Sequence, residues 1–362
     1  MPYKIIKTID VRHLQILDES GNADPAEAAS FSDDLLKAFF KALLHLRIYN
    51  DLALSLQREG RIGTYPSYYG QEAAQAGSAL AMDKEDWLFP SFRETGVYLL
   101  MGLPATNLFR YWLGDERGMK IPEGINVMPM SVPVGSHIPH VTGTAMAMKY
   151  RQSRAAYSGA KSAAVAYFGD GASSRGDFHE ALNLAGVYKA PAVFICMNNQ
   201  WAISMPRAAQ CAGDTISQRA SSYGFEGLQV DGNDVLAVYK ATKDALDKAR
   251  GGGGPTLIEC VTYRLGNHTT ADDASRYRDE AELAKWTGRE PLKRFRVYLK
   301  ERGIWSEDYE KEVSAGIRAD IDKSIKEAEE TAPPELKDII LNTNAEQSPR
   351  QVRELEEAGW LK

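Results

Sequence analysis

Two apolar runs in the middle of the chain, each ending in a short polar motif, constrain the fold more than any other feature. Residues 163–168 lead into Gly-Asp-Gly at 169–171, and residues 192–197 lead into Asn-Asn at 198–199. The 26 residues between the two motifs include a stretch of helical character at 177–189. A strand, a helix and a second strand in this order predict two parallel strands, whose carboxyl ends bring both motifs to one edge of a sheet.

Further apolar runs extend this pattern and predict an α/β fold, with a mostly parallel sheet flanked by helices. Strands are predicted at 227–230 and 256–263, and a helix is predicted at 234–250, with Asn233 as its N-cap. Two more helices, at 71–82 and 139–150, contain many small residues. Small residues let backbones approach closely, which fits either tight packing within the chain or a subunit interface.

After about residue 279 the strand signals stop and the chain becomes helical. Apolar residues recur every four positions along an otherwise charged helix, at Val313, Ile317, Ile321 and Ile325. We therefore expect three parts: an N-terminal extension at 1–45, an α/β domain at 46–280 and a helical C-terminal extension at 281–362.

Composition and charge disfavour several classes of protein. The net charge of -6 is spread over 362 residues without a basic cluster, so nucleic acid and anionic membranes are poor partners. The first twenty residues lack the apolar core of a signal peptide, and no run reaches membrane-spanning length. Three cysteines without metal-site or redox spacing are typical of a reducing compartment, which predicts a cytoplasmic location.

The two polar motifs carry groups suited to a metal ion and a phosphate. The carboxylate of Asp170 and the amide oxygen of Asn199 are hard oxygen donors, which Mg²⁺ and Ca²⁺ prefer. The glycines let backbone N–H groups face a phosphate, and the amino end of the helix at 177–189 adds a positive dipole. A Gly-Asp-Gly triplet alone is a common surface turn, but the whole arrangement predicts a diphosphate held through a divalent metal ion.

This arrangement resembles the signature of thiamine-diphosphate enzymes, in which the aspartate and the second asparagine ligate Mg²⁺. The segment 167–204 is similar, more narrowly, to alpha subunits of pyruvate and branched-chain 2-oxo acid dehydrogenases. Two more segments, GRIGTYPSYYGQEAA at 60–74 and YRLGNHTTADDASRYR at 263–278, extend the resemblance to roughly residues 30–330. The resemblance implies thiamine diphosphate and Mg²⁺ as cofactors and residues 46–280 as the domain that binds the diphosphate.

The resemblance also implies which residues contact the diphosphate. Phe92 and Arg93 match an aromatic–arginine pair that contacts it, although many relatives carry Tyr at the first position. An arginine suits a phosphate because its guanidinium group presents several donors in a fixed plane. Gly171 and Ala172 would contribute their backbone N–H groups.

Other residues of the cofactor site follow from the same resemblance. Trp201 would ligate Mg²⁺ through its backbone carbonyl, together with Asp170 and Asn199, so the change from the Tyr of many relatives matters little there. Val132 and Val134 lie in a stretch, 131–137, that resembles the family loop contacting the aminopyrimidine ring through its backbone.

Two histidines are the catalytic candidates that the resemblance implies. His268 matches the family histidine that reaches the diphosphate and helps to pass the intermediate to the lipoyl group, a role suited to imidazole near neutral pH. His137 would face the carboxylate of the substrate or the intermediate. Thr269 occupies the position of a regulatory phosphoserine in mitochondrial relatives. Asn267 stands where many relatives carry a histidine, and the sequence leaves the role of Asn267 open.

The chain contains one diphosphate-binding motif and no convincing second half-site, so we expect it to supply only part of an active site. The resemblance implies a beta subunit that contributes a glutamate to the cofactor, in an assembly of two alpha and two beta chains. It further implies a small 2-oxo acid substrate, pyruvate or a branched-chain acid, and transfer of the acyl group to the lipoyl domain of an acyltransferase component.

Other functions remain open from the sequence. The alpha subunit of acetoin dehydrogenase would share the fold, the cofactor motif and the lipoyl partner. A non-catalytic scaffold could keep the crevice without the chemistry. A single-chain transketolase is less compatible, because such enzymes carry both cofactor-binding halves in a much longer chain.

Overall fold

The computed structural model describes residues 3–6, 8–154 and 156–361. Its strands are β1 Arg12–Leu14, β2 Trp87–Phe89, β3 Ala164–Gly169, β4 Ala192–Asn198, β5 Trp201–Ala202, β6 Met205–Pro206, β7 Glu226–Asp231 and β8 Thr256–Val261. Its α-helices are α1 Pro25–Ala28, α2 Asp33–Arg58, α3 Glu72–Leu80, α4 Thr95–Leu100, α5 Ala105–Trp112, α6 Ile138–Gln152, α7 Gly176–Tyr188, α8 Arg207–Gln210, α9 Val235–Arg250, α10 Glu280–Thr287, α11 Pro291–Glu301, α12 Glu307–Glu329, α13 Leu336–Leu341 and α14 Pro349–Glu357.

Six strands form one sheet in the order β1-β7-β8-β4-β3-β2, and every neighbouring pair in it is parallel. The predicted α/β fold with a mostly parallel sheet is therefore confirmed. The predicted strands at 163–168, 192–197 and 227–230 match β3, β4 and β7 to within about one residue at each end. The prediction of 256–263 is two residues too long for β8.

Helices cover both faces of the sheet, which explains why its central strands are apolar along their whole length. Side chains of β3 alternate between the two faces: Val165 and Tyr167 join the core under α2, α3 and α9, whereas Ala166 and Phe168 join the core under α6 and α7. A strand that faces solvent on one side would instead show polar residues at every second position.

Two edge strands, β1 and β2, are absent from the sequence-based prediction. Each has only three residues, and β1 pairs with β7 through Arg12, His13 and Leu14, of which the first two are exposed. Such short segments carry too few residues for a periodic pattern, so only the neighbouring strand makes them extended.

The predicted N-cap of α9 is wrong by one residue. Asp234 caps this helix, because its Oδ1 accepts hydrogen bonds from the N–H groups of Leu236 at 3.0 Å and Ala237 at 3.2 Å. Asn233 instead donates from Nδ2 to the carbonyl of Arg289 at 2.9 Å. Both residue types suit an N-cap, so tertiary contacts decided which of the two neighbours took the position.

The small-residue helix α3 is explained by packing within the chain. All of its residues from Glu72 to Ala79 are buried, and it packs along α9. A Cβ atom added to Gly77 would lie 2.7 Å from the carbonyl oxygen of Val235, so a larger residue would force the two helices apart. The predicted apolar stripe of the C-terminal helix is also confirmed, because Ile317, Ile321 and Ile325 of α12 are buried while Val313 is partly buried.

Within the described residues, no helix combines the length and the apolar character needed to cross a membrane.

Candidate active site

A cavity of ≈ 220 Å³ lies at the carboxyl ends of β3 and β4, the edge of the sheet where the sequence predicts the site. Nine of the predicted site residues line it: Phe92, Arg93, Val134, Asp170, Gly171, Ala172, Asn199, Trp201 and His268. Beyond the stretches that contain the two motifs, these residues come from three further parts of the sequence, at 92–93, 134 and 268. The sheet brings these residues together because the carboxyl ends of its parallel strands lie at one common edge.

Asp170 directly follows β3 and is almost completely buried. Its Oδ2 accepts a hydrogen bond of 2.8 Å from Nε2 of Gln210. Burial raises the pKa of this carboxyl to about 6, against the opposing effects of nearby backbone N–H groups and of the Arg264 charge. Within the part of the chain that the structure describes, this buried carboxylate bonds a neutral amide and forms no ion pair, so it is well placed to accept a cation.

Gly171 leaves space for a close approach of two chain segments. A Cβ atom at this position would lie 2.9 Å from Cβ of Ala202, whereas one at Gly169 would meet nothing within 4 Å. After this turn, α7 begins at Gly176, so its amino end lies on the same side of the sheet as Asp170. The second glycine of the motif is thus the one that packing requires.

Asn199 follows β4 and is held on both sides of its amide. Its Nδ2 donates to Oε1 of Gln71 at 3.1 Å, and its Oδ1 accepts from the N–H of Trp201 at 3.3 Å. The chain then turns sharply, with positive φ angles of 72° at Gln200 and 57° at Ile203. Residues other than glycine seldom adopt this conformation, so the turn must be stabilised by its surroundings.

Two buried arginines, Arg93 and Arg264, lie beside the cavity residue His268, and Arg93 itself lines the cavity. Arg93 donates to the carbonyls of Ser67 at 2.5 Å and His268 at 2.9 Å, and Arg264 donates to the carbonyl of Ile203 at 2.7 Å. Within the described part of the chain, no carboxylate accepts a hydrogen bond from either group. Burial, and then the charge of Arg264, lower the pKa of Arg93 to about 10. Two buried cations without a bonded counter-charge favour an anion at this place.

His268 lies between these two arginines. Its Nδ1 is 3.1 Å from Nη2 of Arg93 and 3.2 Å from Nη1 of Arg264. A guanidinium group only donates, so Nδ1 must be the unprotonated acceptor and Nε2 must carry the proton. Burial, followed by the charges of Arg93 and Arg264, lowers the pKa of His268 to about 4. At neutral pH the ring is therefore a neutral hydrogen-bond donor through Nε2.

The aromatic ring of Phe92 packs beside this group rather than only in the core. It lies edge-on to the His268 ring at 6.0 Å between centroids, and the Arg93 guanidinium lies 5.4 Å from its centroid. Val134 lines the cavity and is largely exposed, as an open rim residue would be. Val132 is also exposed but does not line the cavity.

The structure does not bring His137 to the cavity. The ring is buried at the start of α6, and its Nε2 lies 2.7 Å from the carbonyl oxygen of Tyr167 in β3. Burial lowers the pKa of this histidine, and its Nδ1 has no hydrogen-bond partner within the described residues. This placement fits a structural contact with the sheet, and the contact with substrate stays a prediction.

The loop at 264–278 is closed by its own side chains. Asn267 donates from Nδ2 to the carbonyl of Asp272 at 2.7 Å and accepts at Oδ1 from the N–H of Ala274 at 3.2 Å. The backbone N–H of His268 donates to Oδ2 of Asp272 at 2.8 Å. Asn267, whose role the sequence left open, thus bridges the two sides of the loop that positions His268.

Several residues that line the cavity or lie next to it were not singled out from the sequence. Gln71 and Arg264 lie inside the two outer segments that carry the family resemblance, so their positions in those segments were an available signal. Gln210 belongs to no motif, and only the fold of the segment after β6 places it on Asp170. The buried Nε2 of Gln71 lacks a partner within the described residues and lies beside the predicted metal-binding amide.

The predicted metal donors suit Mg²⁺. Asp170, Asn199 and Trp201 would provide a carboxylate, an amide oxygen and a backbone carbonyl, which are oxygen donors that Mg²⁺ prefers. Among the described residues, no three His, Cys, Asp or Glu side chains group as a metal site would require.

Comparison with known proteins gives the family of the chain. A family model described as "Dehydrogenase E1 component" matches residues 41–337. The pyruvate dehydrogenase E1 component subunit alpha of Staphylococcus aureus strain Mu50 is 43% identical over 320 residues, which cover 88% of this chain and 85% of the relative. The protein of the same name from Staphylococcus epidermidis is 42% identical with the same coverage. The chain therefore belongs to the dehydrogenase E1 component family, as a homologue of the alpha subunits of thiamine-diphosphate-dependent 2-oxo acid dehydrogenases.

Proposed function

We propose that this chain is the alpha subunit of a 2-oxo acid dehydrogenase that decarboxylates pyruvate or a branched-chain 2-oxo acid on thiamine diphosphate and Mg²⁺. The acyl group would pass to the lipoyl domain of an acyltransferase component. We further propose that the active enzyme contains a beta subunit, in an assembly of two alpha and two beta chains. A cytoplasmic location is part of the proposal and is supported by the three free cysteines.

One observation carries this proposal. Two buried guanidinium groups, those of Arg93 and Arg264, converge on His268 beside a buried carboxylate, that of Asp170. Among the described residues, neither arginine bonds a carboxylate and the aspartate forms no ion pair, so the arginines favour an anion and the aspartate favours a metal ion. A diphosphate that carries a divalent cation meets both demands at once.

The cofactor would be held by residues from the two motifs and the loops around them. Asp170, Asn199 and the carbonyl of Trp201 would ligate Mg²⁺, and the N–H groups of Gly171 and Ala172 would face the diphosphate. Arg93 would contribute the guanidinium group, with Phe92 packed beside it. Val132 and Val134 would contact the aminopyrimidine ring through their backbone. When bound, thiamine diphosphate supplies a thiazolium ring that accepts the electrons released by decarboxylation.

His268 would act as a donor in this site. Because its Nδ1 accepts from two arginines, its proton stays on Nε2, which can donate to a phosphate oxygen or to an intermediate. The family resemblance assigns it a part in passing the acyl group to the lipoyl domain. His137 stays a prediction for substrate contact, and Thr269 a prediction for phosphorylation.

An activity measurement with and without a partner subunit tests this proposal. The purified chain with thiamine diphosphate, Mg²⁺ and either pyruvate or branched 2-oxo acids should show no decarboxylation. Addition of its beta subunit should give turnover that Asp170→Asn abolishes and that Asp214→Asn, at an exposed aspartate, leaves intact. Rapid decarboxylation by the chain alone would contradict the two-subunit proposal, and turnover of acetoin but of neither 2-oxo acid would assign the acetoin enzyme instead.

A further inference from the structure

The side chain of Trp201 lies in a group of aromatic rings beside the cavity. Its indole Nε1 donates to the hydroxyl of Tyr263 at 3.1 Å, and its ring lies 5.4 Å from the Tyr277 ring. Tyr263 in turn donates to Oε2 of Glu282 at 2.9 Å and stacks on Trp286 at 5.4 Å. We call Trp201, Tyr263, Tyr277 and Trp286 the aromatic cluster.

The aromatic cluster connects two parts of the site that are far apart in sequence. Trp201 belongs to the turn at 200–203, whose carbonyl at 201 is a predicted metal ligand. Tyr277 belongs to the loop at 264–278, in which its hydroxyl donates to Oδ2 of Asp272. The same carboxylate accepts from the backbone N–H of His268. The Trp201 indole thus packs on Tyr277, which is connected to His268 by two hydrogen bonds through Asp272.

Arg264 makes a second connection between the same two parts. It donates to the carbonyls of Trp201 at 3.4 Å and Ile203 at 2.7 Å, and also to the hydroxyl of Tyr277 at 2.8 Å. The turn needs such support, because Gln200 and Ile203 hold φ angles that side chains rarely adopt. The direction of the Trp201 carbonyl therefore depends on contacts from the loop and not on the turn sequence alone.

We propose that the Trp201 indole is a positioning residue, which aims the carbonyl of this residue at the metal ion and couples the turn to the loop that carries His268. The inference rests on the proposed function, because it concerns the Mg²⁺ and thiamine diphosphate of that site. Coupling between two parts of one site is reciprocal, so loss of the indole contact weakens metal binding and loosens the loop together.

Two substitutions, one on each partner, test the hydrogen bond between Trp201 and Tyr263. In the assembled enzyme, Trp201→Phe removes the donor and Tyr263→Phe removes the acceptor. Each should raise the apparent dissociation constant for Mg²⁺, measured by calorimetry at fixed thiamine diphosphate, by about 3- to 10-fold, as the loss of one hydrogen bond would. The double variant should be no weaker than either single variant. Glu282→Gln, which keeps an acceptor for Tyr263, and Trp112→Phe, at a tryptophan on α5, are the controls.

A larger change tests the coupling. Trp201→Leu removes the ring, so trypsin should cut at Arg276 or Arg278 several-fold faster than in the wild type when Mg²⁺ and thiamine diphosphate are present. Raising the Mg²⁺ concentration should restore protection, which a variant that is simply misfolded would not show. If Trp201→Leu fails to assemble, the Trp201→Phe and Tyr263→Phe pair decides alone.

The outcomes separate this inference from the proposed function. Wild-type Mg²⁺ affinity in both phenylalanine variants, or additive effects in the double variant, would overturn the positioning role and leave the proposed function standing. Absence of metal-dependent cofactor binding in the wild-type enzyme would overturn both.

Discussion

The Nδ1 atom of His268 accepts a hydrogen bond of 3.1 Å from Nη2 of Arg93, and this contact sets the protonation state of the ring. A protonated Nδ1 would turn an N–H group toward a guanidinium group that can only donate. The ring is therefore neutral, and its reactive side is Nε2. Most of what we expect of the site follows from this pair and from the buried carboxylate of Asp170 nearby.

We expect His268 to make the stability of the chain depend on pH. Its pKa is about 4 in the folded chain against an ordinary value of 6.5, so the unfolded chain binds more protons between these values. The contribution of His268 to the free energy of unfolding is complete above pH 6.5 and is lost as the pH falls toward 4. In urea titrations, His268→Asn should lower the free energy of unfolding less at pH 5 than at pH 7.5. Equal losses at the two pH values for His268→Asn would contradict this.

Removal of the Arg93 charge should raise the pKa of His268. Arg93→Met keeps an unbranched side chain but provides neither charge nor donor, and the Arg93 charge is the largest electrostatic cause of the lowered pKa after burial. A pH titration by NMR of histidine labelled with carbon-13 would measure the shift. A His268 pKa that stays where it is or falls further would show that Arg93 does not control this ring.

The two glycines of the Gly-Asp-Gly motif should respond differently to alanine. Gly171→Ala places a Cβ atom 2.9 Å from Cβ of Ala202, so the hairpin after Asn199 must move. We expect a loss of roughly 1–3 kcal/mol in the free energy of unfolding, together with weaker cofactor binding. Gly169→Ala is the matched control, since nothing lies within 4 Å of its added Cβ atom. Equal tolerance of both substitutions in urea titrations would count against the close approach.

We expect Asp170 to lower the free energy of unfolding of the chain when no cofactor is bound. Burial raises its pKa to about 6, so its penalty on stability grows as the pH rises from about 3.8 to 6 and is fully present above that. Asp170→Asn should therefore increase the free energy of unfolding of the cofactor-free chain at pH 7.5 by roughly 1–3 kcal/mol, and by little at pH 4. Calorimetric melting at the two pH values measures this. A variant that is less stable than the wild type at pH 7.5 would refute the account.

The sequence predicted the parts of the fold that rest on long patterns. The runs that became β3 and β4 are apolar along their whole length because helices cover both faces, and the motifs after them fall at one edge of the sheet. The edge strand β1 was missed because Arg12 and His13 are exposed and extended only through their pairing with β7. The N-cap of α9 was misplaced because Asn233 and Asp234 are equally good caps in isolation.

The site residues that could be predicted are those that lie in a motif or in a segment that resembles the family. Asp170, Asn199 and Arg93 lie together as expected, and the cavity includes His268. His137 lies outside this group, because its buried ring contacts the carbonyl of Tyr167, and its contact with substrate stays a prediction. Gln210 has no sequence signal at all, since it meets Asp170 only after the chain has turned through β5 and β6.

We propose that this chain holds the diphosphate and the metal ion of a shared active site. It is tested most directly by calorimetric titration of thiamine diphosphate, with and without Mg²⁺, into the assembled wild-type enzyme and its Asp170→Ala variant. We expect the wild type to bind only when Mg²⁺ is present and the variant to show no metal-dependent binding. Binding of the same strength by the variant and the wild type would contradict the claim.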